Sequence, residues 1–294
     1  MRSHLVLGSV LALCTCPVSA APFEVKPTDR LVIIGSTLIE REQRYGYWEA
    51  MLTANAPGLK VRNLGWSGDD VDGIARRAFD LDRPDIGRKR LVELAIAEKP
   101  TAILICYGGN EAFGGEAGLE KFKKGLEKLL DELTPTKARI GLMSPPPLED
   151  KGRPLPDPAE QNKRLAVYRD AIKQIAAARG LYFADLFEAL GAGKEPLTGL
   201  TDNGVHFTGD GYKRTTVAFA KSLGLTADYS ETLEPTREVI RQKNQLYFYK
   251  WRPQNETYLT GFRKHEQGRN AKEVAEFDPL VAAAEAEIEK LLKK

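Results

Sequence analysis

Apolar residues follow two rhythms along this chain. Short unbroken runs rich in β-branched residues, Leu31-Val32-Ile33-Ile34 and Ala102-Ile103-Leu104-Ile105 among them, are bounded by glycine or proline. Between them lie longer stretches in which apolar residues recur every three to four positions, as Tyr45, Trp48, Met51 and Leu52 do. The first kind predicts strands buried on both faces and the second predicts amphipathic helices. In chain order the pattern predicts strands at 31–34, 60–64, 101–107, 139–144 and 181–184. Helices are predicted at 39–54, from about 71, and at 88–98, 118–133, 159–179 and 209–223. Strands alternating with helices imply an α/β class, a three-layer α/β/α doubly wound parallel sheet.

Past residue 223 the alternation stops. Tyr247, Phe248, Tyr249, Trp251, Tyr258 and Phe262 stand among arginines, lysines and amides, and Val281, Ala284, Ile288 and Leu291 then stripe a final helix over 278–293. This aromatic-basic extension reads as a segment with its own small core, its final helix packed back on the main body. The rival readings of 244–269 are a lid, a sugar-stacking surface and a docking face for a protein partner. At the other end, Arg2, the apolar run Leu5 to Cys14 and Val18-Ser19-Ala20 have the form of a cleaved secretory signal. The expected organisation is a signal peptide at 1–21, an α/β domain at 22–223 and an extension with a terminal helix at 224–294. Localisation is then secreted or periplasmic. Lipoprotein attachment through Cys14 or Cys16 is disfavoured because neither follows the small-residue pattern such processing needs.

Removing the signal changes the chemistry available. Cys14, Cys16 and His4 go with it, leaving Cys106 as the only thiol and His206 and His265 as the only imidazoles. No internal disulfide can form, Cys106 reads as a small core residue, and Cys/His zinc chemistry lacks ligands. No metal or organic cofactor is expected. With 43 Lys and Arg against 41 Asp and Glu spread along the chain, nothing points to nucleic acid or a membrane surface as partner, and no stretch is long enough to span a bilayer.

In open parallel sheets, ligands sit beyond the carboxyl ends of the strands. Here those ends carry Ser36 and Thr37 after the first strand, Gly68 after Ser67, Asn110 after two glycines, and His206 close behind Asp202 and Asn203. A hydroxyl on the first strand-turn, at a helix N-terminus, is a candidate nucleophile, and two are present.

These strand ends resemble the SGNH hydrolases, the GDSL-type esterases and acylhydrolases, over most of residues 30–220. Asn63-Leu64-Gly65-Trp66-Ser67-Gly68-Asp69 resembles the second family block, which implies Gly68 as a backbone oxyanion donor. Gly108-Gly109-Asn110-Glu111 resembles the third and implies Asn110 as the side-chain donor, with Glu111 where aspartate is usual. Asn203-Gly204-Val205-His206 resembles the last, which implies His206 as the general base. Two positions depart. The family's Gly-Asp-Ser-Leu reads Gly35-Ser36-Thr37-Leu38, so Thr37 stands at the nucleophile position and Ser36 one place early. Asn203 stands where the orienting aspartate belongs, and Asp202, one residue back, is the carboxylate that would replace it, its rival role being a turn or a helix cap.

The resemblance implies a hydrolase that cleaves an ester through a hydroxyl nucleophile, a histidine base and a Gly/Asn oxyanion hole, and the signal segment makes it an exported one. A carbohydrate O-acetyl group is the substrate that export and family tendency suggest. The alternative takes the two departures at face value: a degenerate relative whose cleft binds a glycan or acyl group, or a scaffold that meets a partner through 244–269.

Overall fold

The computed structural model describes residues 23–192, 198–266 and 270–293, so the expected signal segment lies outside the described residues. β1 (Arg30–Gly35), β2 (Lys60–Asn63), β3 (Ala102–Cys106), β4 (Arg139–Met143) and β5 (Tyr182–Ala184) form one sheet in the order β2-β1-β3-β4-β5, every pairing parallel. Side chains along a strand alternate between faces. Accordingly Val32, Ile34, Ile103 and Ile105 enter one apolar cluster, while Leu31, Ile33, Leu104 and Cys106 enter the other. Both faces being covered, β1 and β3 at the centre of the sheet read as continuous apolar runs rather than alternating ones, whereas the outermost β2 carries Lys60, Arg62 and Asn63.

Helices fill both layers. α1 (Thr37–Tyr45) and α2 (Tyr47–Asn55) follow β1; α3 (Ile86–Ala97) follows β2; α4 (Gly115–Leu133) and α5 (Ala159–Ala178) follow β3 and β4. After β5 come α6 (Leu186–Ala189), α7 (Gly209–Arg214) and α8 (Thr216–Ser222). The extension supplies α9 (Glu234–Trp251), α10 (Glu256–Leu259) and α11 (Phe277–Leu292). The single helix expected over 39–54 is two helices, because Gly46 turns left-handed at φ 69° and its N–H closes on Glu42 O at 2.7 Å. The helical stretch expected from residue 71 is a set of turns with a 3₁₀ turn at Ile74–Arg76. Asp70 Oδ1 there accepts from the N–H groups of Asp72 and Ile74, and Asp69 Oδ1 from that of Ala75, so carboxylates replace the helical ladder.

The extension is docked on the main body through α9 and α11. Tyr247 and Val281 join one sheet cluster, and Ile240, Tyr229 and Ile288 pack with Ala50 of α2. Buried polar groups align with this contact: Lys243 Nζ pairs with Glu49 and donates to Val61 O at 3.2 Å, and Asn244 Nδ2 donates to Glu49 Oε2 at 2.8 Å. Arg62 Nη1 donates to its neighbour's carbonyl, Val61 O, at 3.0 Å and meets Glu285 of α11 at 2.5 Å. No helix among the described residues is long and apolar enough to cross a membrane.

Beside this contact Glu42 is buried, accepting from the backbone N–H groups of Trp48 and Glu49 at 3.1 and 3.3 Å. Burial, reinforced by the nearby Glu49 charge, pushes its carboxyl up to about 8 against the two amide donors. A raised carboxyl pKa means that the folded chain holds a proton the unfolded chain has lost. The corresponding stability is complete below the unfolded pKa and is lost as pH rises through about 8. Glu42→Gln keeps the carbonyl acceptor and removes the titration. It is expected to flatten the fall of the urea midpoint between about pH 5 and pH 8, and an unchanged slope would assign that titration to another group.

Candidate active site

The site is built where three strands end. Gly35 closes β1, and a Cβ there would lie 2.6 Å from Cys106 O and 2.6 Å from Ile39 Cγ1, so only glycine lets β1 turn straight into α1 beside β3. Ser36 sits at the N-cap, its carbonyl accepting from Ile39 and Glu40, but its side chain caps nothing. Thr37 opens α1, and its Oγ1 accepts from the Gly68 N–H at 3.2 Å. The hydroxyl that faces the loop after β2 is therefore that of Thr37.

That loop is held on both sides of Gly68. Ser67 N–H donates to Glu40 Oε2 at 2.7 Å. Asp69, fully buried, accepts from Arg76 Nε at 2.6 Å and from the Tyr107 hydroxyl at 2.8 Å. Gly68 itself has φ 77°, with nothing within 4 Å of where a Cβ would stand. Asn110 Nδ2 donates to Asp69 O at 2.8 Å, which leaves its second N–H for another acceptor. Glu111 joins the loops after β2 and β3, accepting from Val71 N and Gly108 N at 3.0 and 2.9 Å. Burial pushes its carboxyl up to about 7 despite these donors.

His206 lies on a tight loop closed by the bridge between Thr201 and Phe207. Glu149 anchors the loop by accepting from the N–H and the hydroxyl of Thr201 at 2.6 and 2.5 Å. Burial works to raise its pKa, but these bonds hold the carboxyl below its ordinary value. Asn203 Oδ1 accepts from the backbone N–H groups of Val205 and His206 at 3.1 and 2.9 Å, which fixes the orientation of its amide. Its Nδ2 consequently faces His206 Nδ1 at 3.0 Å as a donor. A neutral imidazole whose Nδ1 accepts must carry its proton on Nε2. Asp202 does not orient the imidazole: its carboxylate pairs with Arg41 Nη2 at 2.7 Å, so the group on Nδ1 is the Asn203 amide. Burial lowers the His206 pKa, the Arg41 charge lowers it further, and Asp202 opposes them.

Ser36, Thr37, Asn110 and His206 line one small cleft of about 60 Å³, walled by Phe113, Pro145 and Leu148. Gly68 reaches it through Thr37. Cys106 also borders the cleft, but burial pushes its thiol up to about 12, where it is inert as a nucleophile. Among the described residues no group of three or more His, Cys, Asp or Glu is arranged to hold a metal ion. Chemically the cleft offers a hydroxyl beside a backbone donor, a side-chain amide and a neutral imidazole. Sequence reasoning missed Arg41 and Glu149. Arg41 lies four residues after Thr37 and so on the same face of α1, which was a readable signal; Glu149 gave none.

The chain matches the sequence model of the GDSL-like lipase/acylhydrolase family over residues 33–214. Among solved structures it resembles Axe2, an acetylxylan esterase from Geobacillus stearothermophilus, at 22% identity and TM-score 0.52, with 69% of this chain and 97% of that chain covered. It also resembles LAE5, an α/β hydrolase enzyme from the metagenome of Lake Arreo, at 20% identity and TM-score 0.51, with 69% of this chain and 98% of that chain covered. At these identities the likeness is one of fold. No curated protein shows a significant sequence match.

A carboxylate accepts from Nδ1 where the Asn203 amide donates, and it favours imidazolium instead of opposing it. Asn203→Asp is therefore expected to raise the His206 pKa, which in the native chain lies below the ordinary value, by roughly one unit or more. Titration of the imidazole nitrogens by NMR reads both this shift and the change of tautomer from Nε2–H to Nδ1–H. An unshifted pKa would mean that Asn203 does not control the ring.

Proposed function

This chain belongs to the GDSL-like lipase/acylhydrolase family, and on that premise we propose that it is an exported ester hydrolase in which Thr37 is the nucleophile. The observation that carries the assignment is the Gly68 N–H directed at Thr37 Oγ1 at 3.2 Å. It puts the Thr37 hydroxyl, rather than that of Ser36, beside the backbone donor that a tetrahedral intermediate needs. In this reading Thr37 Oγ attacks the ester carbonyl carbon and its proton passes to His206. The carbonyl oxygen takes up negative charge against the Gly68 N–H and the free N–H of Asn110. A donor so placed is worth roughly 3 to 4 kcal/mol in comparable sites. Collapse breaks the bond to the leaving alcohol, which takes the proton from His206. Water then attacks the Thr37 ester by the same path in reverse, releasing the acid and restoring the hydroxyl.

The reading also fixes the slow step. To accept the Thr37 proton His206 must present a bare Nε2, so its proton must move to Nδ1, where the Asn203 amide offers a donor and no acceptor. The corresponding change in a serine-protease triad costs roughly 10⁴ in turnover. The methyl of Thr37 restricts χ1 and adds to the crowding. A short acyl group suits the cleft: about 60 Å³ takes an acetyl group, whereas a long acyl chain needs several times that space. The likeness to a fold found in acetylxylan esterases, together with the signal-like N-terminus, supports a carbohydrate O-acetyl ester as substrate.

A second reading, a site that binds an acetylated glycan without turning it over, is favoured by the amide on His206 Nδ1. Hydrolysis of p-nitrophenyl acetate separates the two. If the enzyme reading holds, Thr37→Ala and His206→Ala abolish a slow native rate, Ser36→Ala keeps most of it, and Asn203→Asp raises kcat by up to about 10⁴-fold. Loss with Ser36→Ala and not with Thr37→Ala would move the nucleophile to Ser36. Binding of acetylated xylooligosaccharides with no turnover by the native protein or by Asn203→Asp would establish the second reading instead.

A further inference from the structure

The family match ends at residue 214, yet residues of α9 reach the loop that carries Gly68. At the end of α9, Arg252 Nη1 donates to Glu40 Oε2 at 2.8 Å, the oxygen that also accepts the Ser67 N–H at 2.7 Å. The Arg252 guanidinium lies 3.7 Å from the centre of the Trp66 ring, and Trp251 meets the same ring edge-on at 5.8 Å. Arg76, bound to Asp69, lies 5.2 Å from that ring as well. Trp66 N–H in turn donates to Gly35 O at 3.0 Å, the carbonyl at the end of β1.

We propose that the C-terminal extension is a working part of the site, with Arg252 as a positioning residue that holds the Trp66–Asp69 loop so that the Gly68 N–H faces Thr37. The chain of contacts is short. Glu40 is 5% exposed and sits one turn after Thr37 on α1, so it gives the loop a carboxylate at a fixed distance from the hydroxyl. Without Arg252 that carboxylate has, among the described residues, only Arg44, at 3.9 Å, as a cationic partner, and it would reorient toward solvent. The Ser67 N–H would lose its acceptor, and Trp66 would lose the planar cation stacked on it. Asp69, held by Arg76 and Tyr107, keeps the far end of the loop in place. The expected result is local: Ser67 and Gly68 swing while the fold stays intact. An oxyanion donor acts only where it is already aimed at the developing charge, so loosening it lowers kcat more than it raises KM. Only this catalytic consequence rests on the esterase reading; the clamp does not.

The test compares Arg252→Ala, Arg252→Lys and Arg241→Ala. Arg241 also lies on α9 and binds α1 through Arg44 O at 2.7 Å, but it does not touch the loop. Amide hydrogen exchange of Ser67 and Gly68 gives a readout that needs no turnover. Arg252→Ala is expected to speed that exchange at least tenfold and, in p-nitrophenyl acetate hydrolysis, to lower kcat about tenfold with KM nearly unchanged. Arg252→Lys should restore part of both, since an ammonium pairs with Glu40 but does not stack as a guanidinium does. Arg241→Ala should change neither. Unchanged loop exchange in Arg252→Ala, or equal effects of Arg252→Ala and Arg241→Ala, would overturn the proposal. If neither the native protein nor Asn203→Asp turns over ester, the esterase reading fails by itself and the exchange comparison still decides the clamp.

Discussion

Everything at the site depends on how closely three stretches of backbone approach one another. A Cβ at Gly65 would stand 2.3 Å from Glu40 N, and one at Gly35 would stand 2.6 Å from Cys106 O. No side chain fits at either place. Two glycines thus bring the start of α1, the end of β3 and the loop after β2 into backbone contact, with no layer of side chains between them. From that contact follow the reach of Gly68 N–H to Thr37, of Asn110 to Asp69 O, and of Ser67 to Glu40.

Around this contact the protein uses carboxylates as acceptors for backbone N–H groups that the sheet leaves unpaired. Asp69, Asp70, Glu40, Glu111 and Glu149 each take at least one. A buried donor left unpaired costs more than its bond contributes, so these groups shape the loops as much as any apolar packing does. The pattern breaks at the imidazole. Its Nδ1 faces an amide, while the neighbouring carboxylate of Asp202 is occupied by Arg41 in a half-exposed pair that contributes little to stability. Asn203 thus stands among carboxylates as the neutral group that faces His206 Nδ1.

The sheet was readable in the sequence because strands buried on both faces must be apolar throughout, and the runs at 31–34 and 102–106 are. So was the gathering of Ser36, Thr37, Asn110 and His206 at one cleft, with Gly68 beside Thr37, since these stand in short motifs at predictable strand ends. Three helices were not, among them the one expected over 209–223, which breaks at Thr215 into α7 and α8. Gly46 is tolerable within a helix, and what makes it a break is tertiary: Arg237 of α9 donates to Tyr45 O at 2.6 Å. Likewise Val71 onward has helical spacing, but Asp69 and Asp70 capture its amides. The partner of Asp202 depends on a helix more than 150 residues away, and Arg252 meets Trp66 across a similar span; no local pattern carries such information.

The placement of the extension has one more consequence, for solubility. β2 is an outermost strand of the sheet, only four residues long, and its Val61 carbonyl is taken by Lys243 Nζ and Arg62 Nη1. An uncovered strand edge is a template for pairing with another chain. Here α9 lies against β2, and Glu285 of α11 secures Arg62. A chain cut back to the family domain would therefore expose a free edge beside freshly uncovered apolar surface, and its natural fate is edge-to-edge association rather than life as a smaller soluble unit.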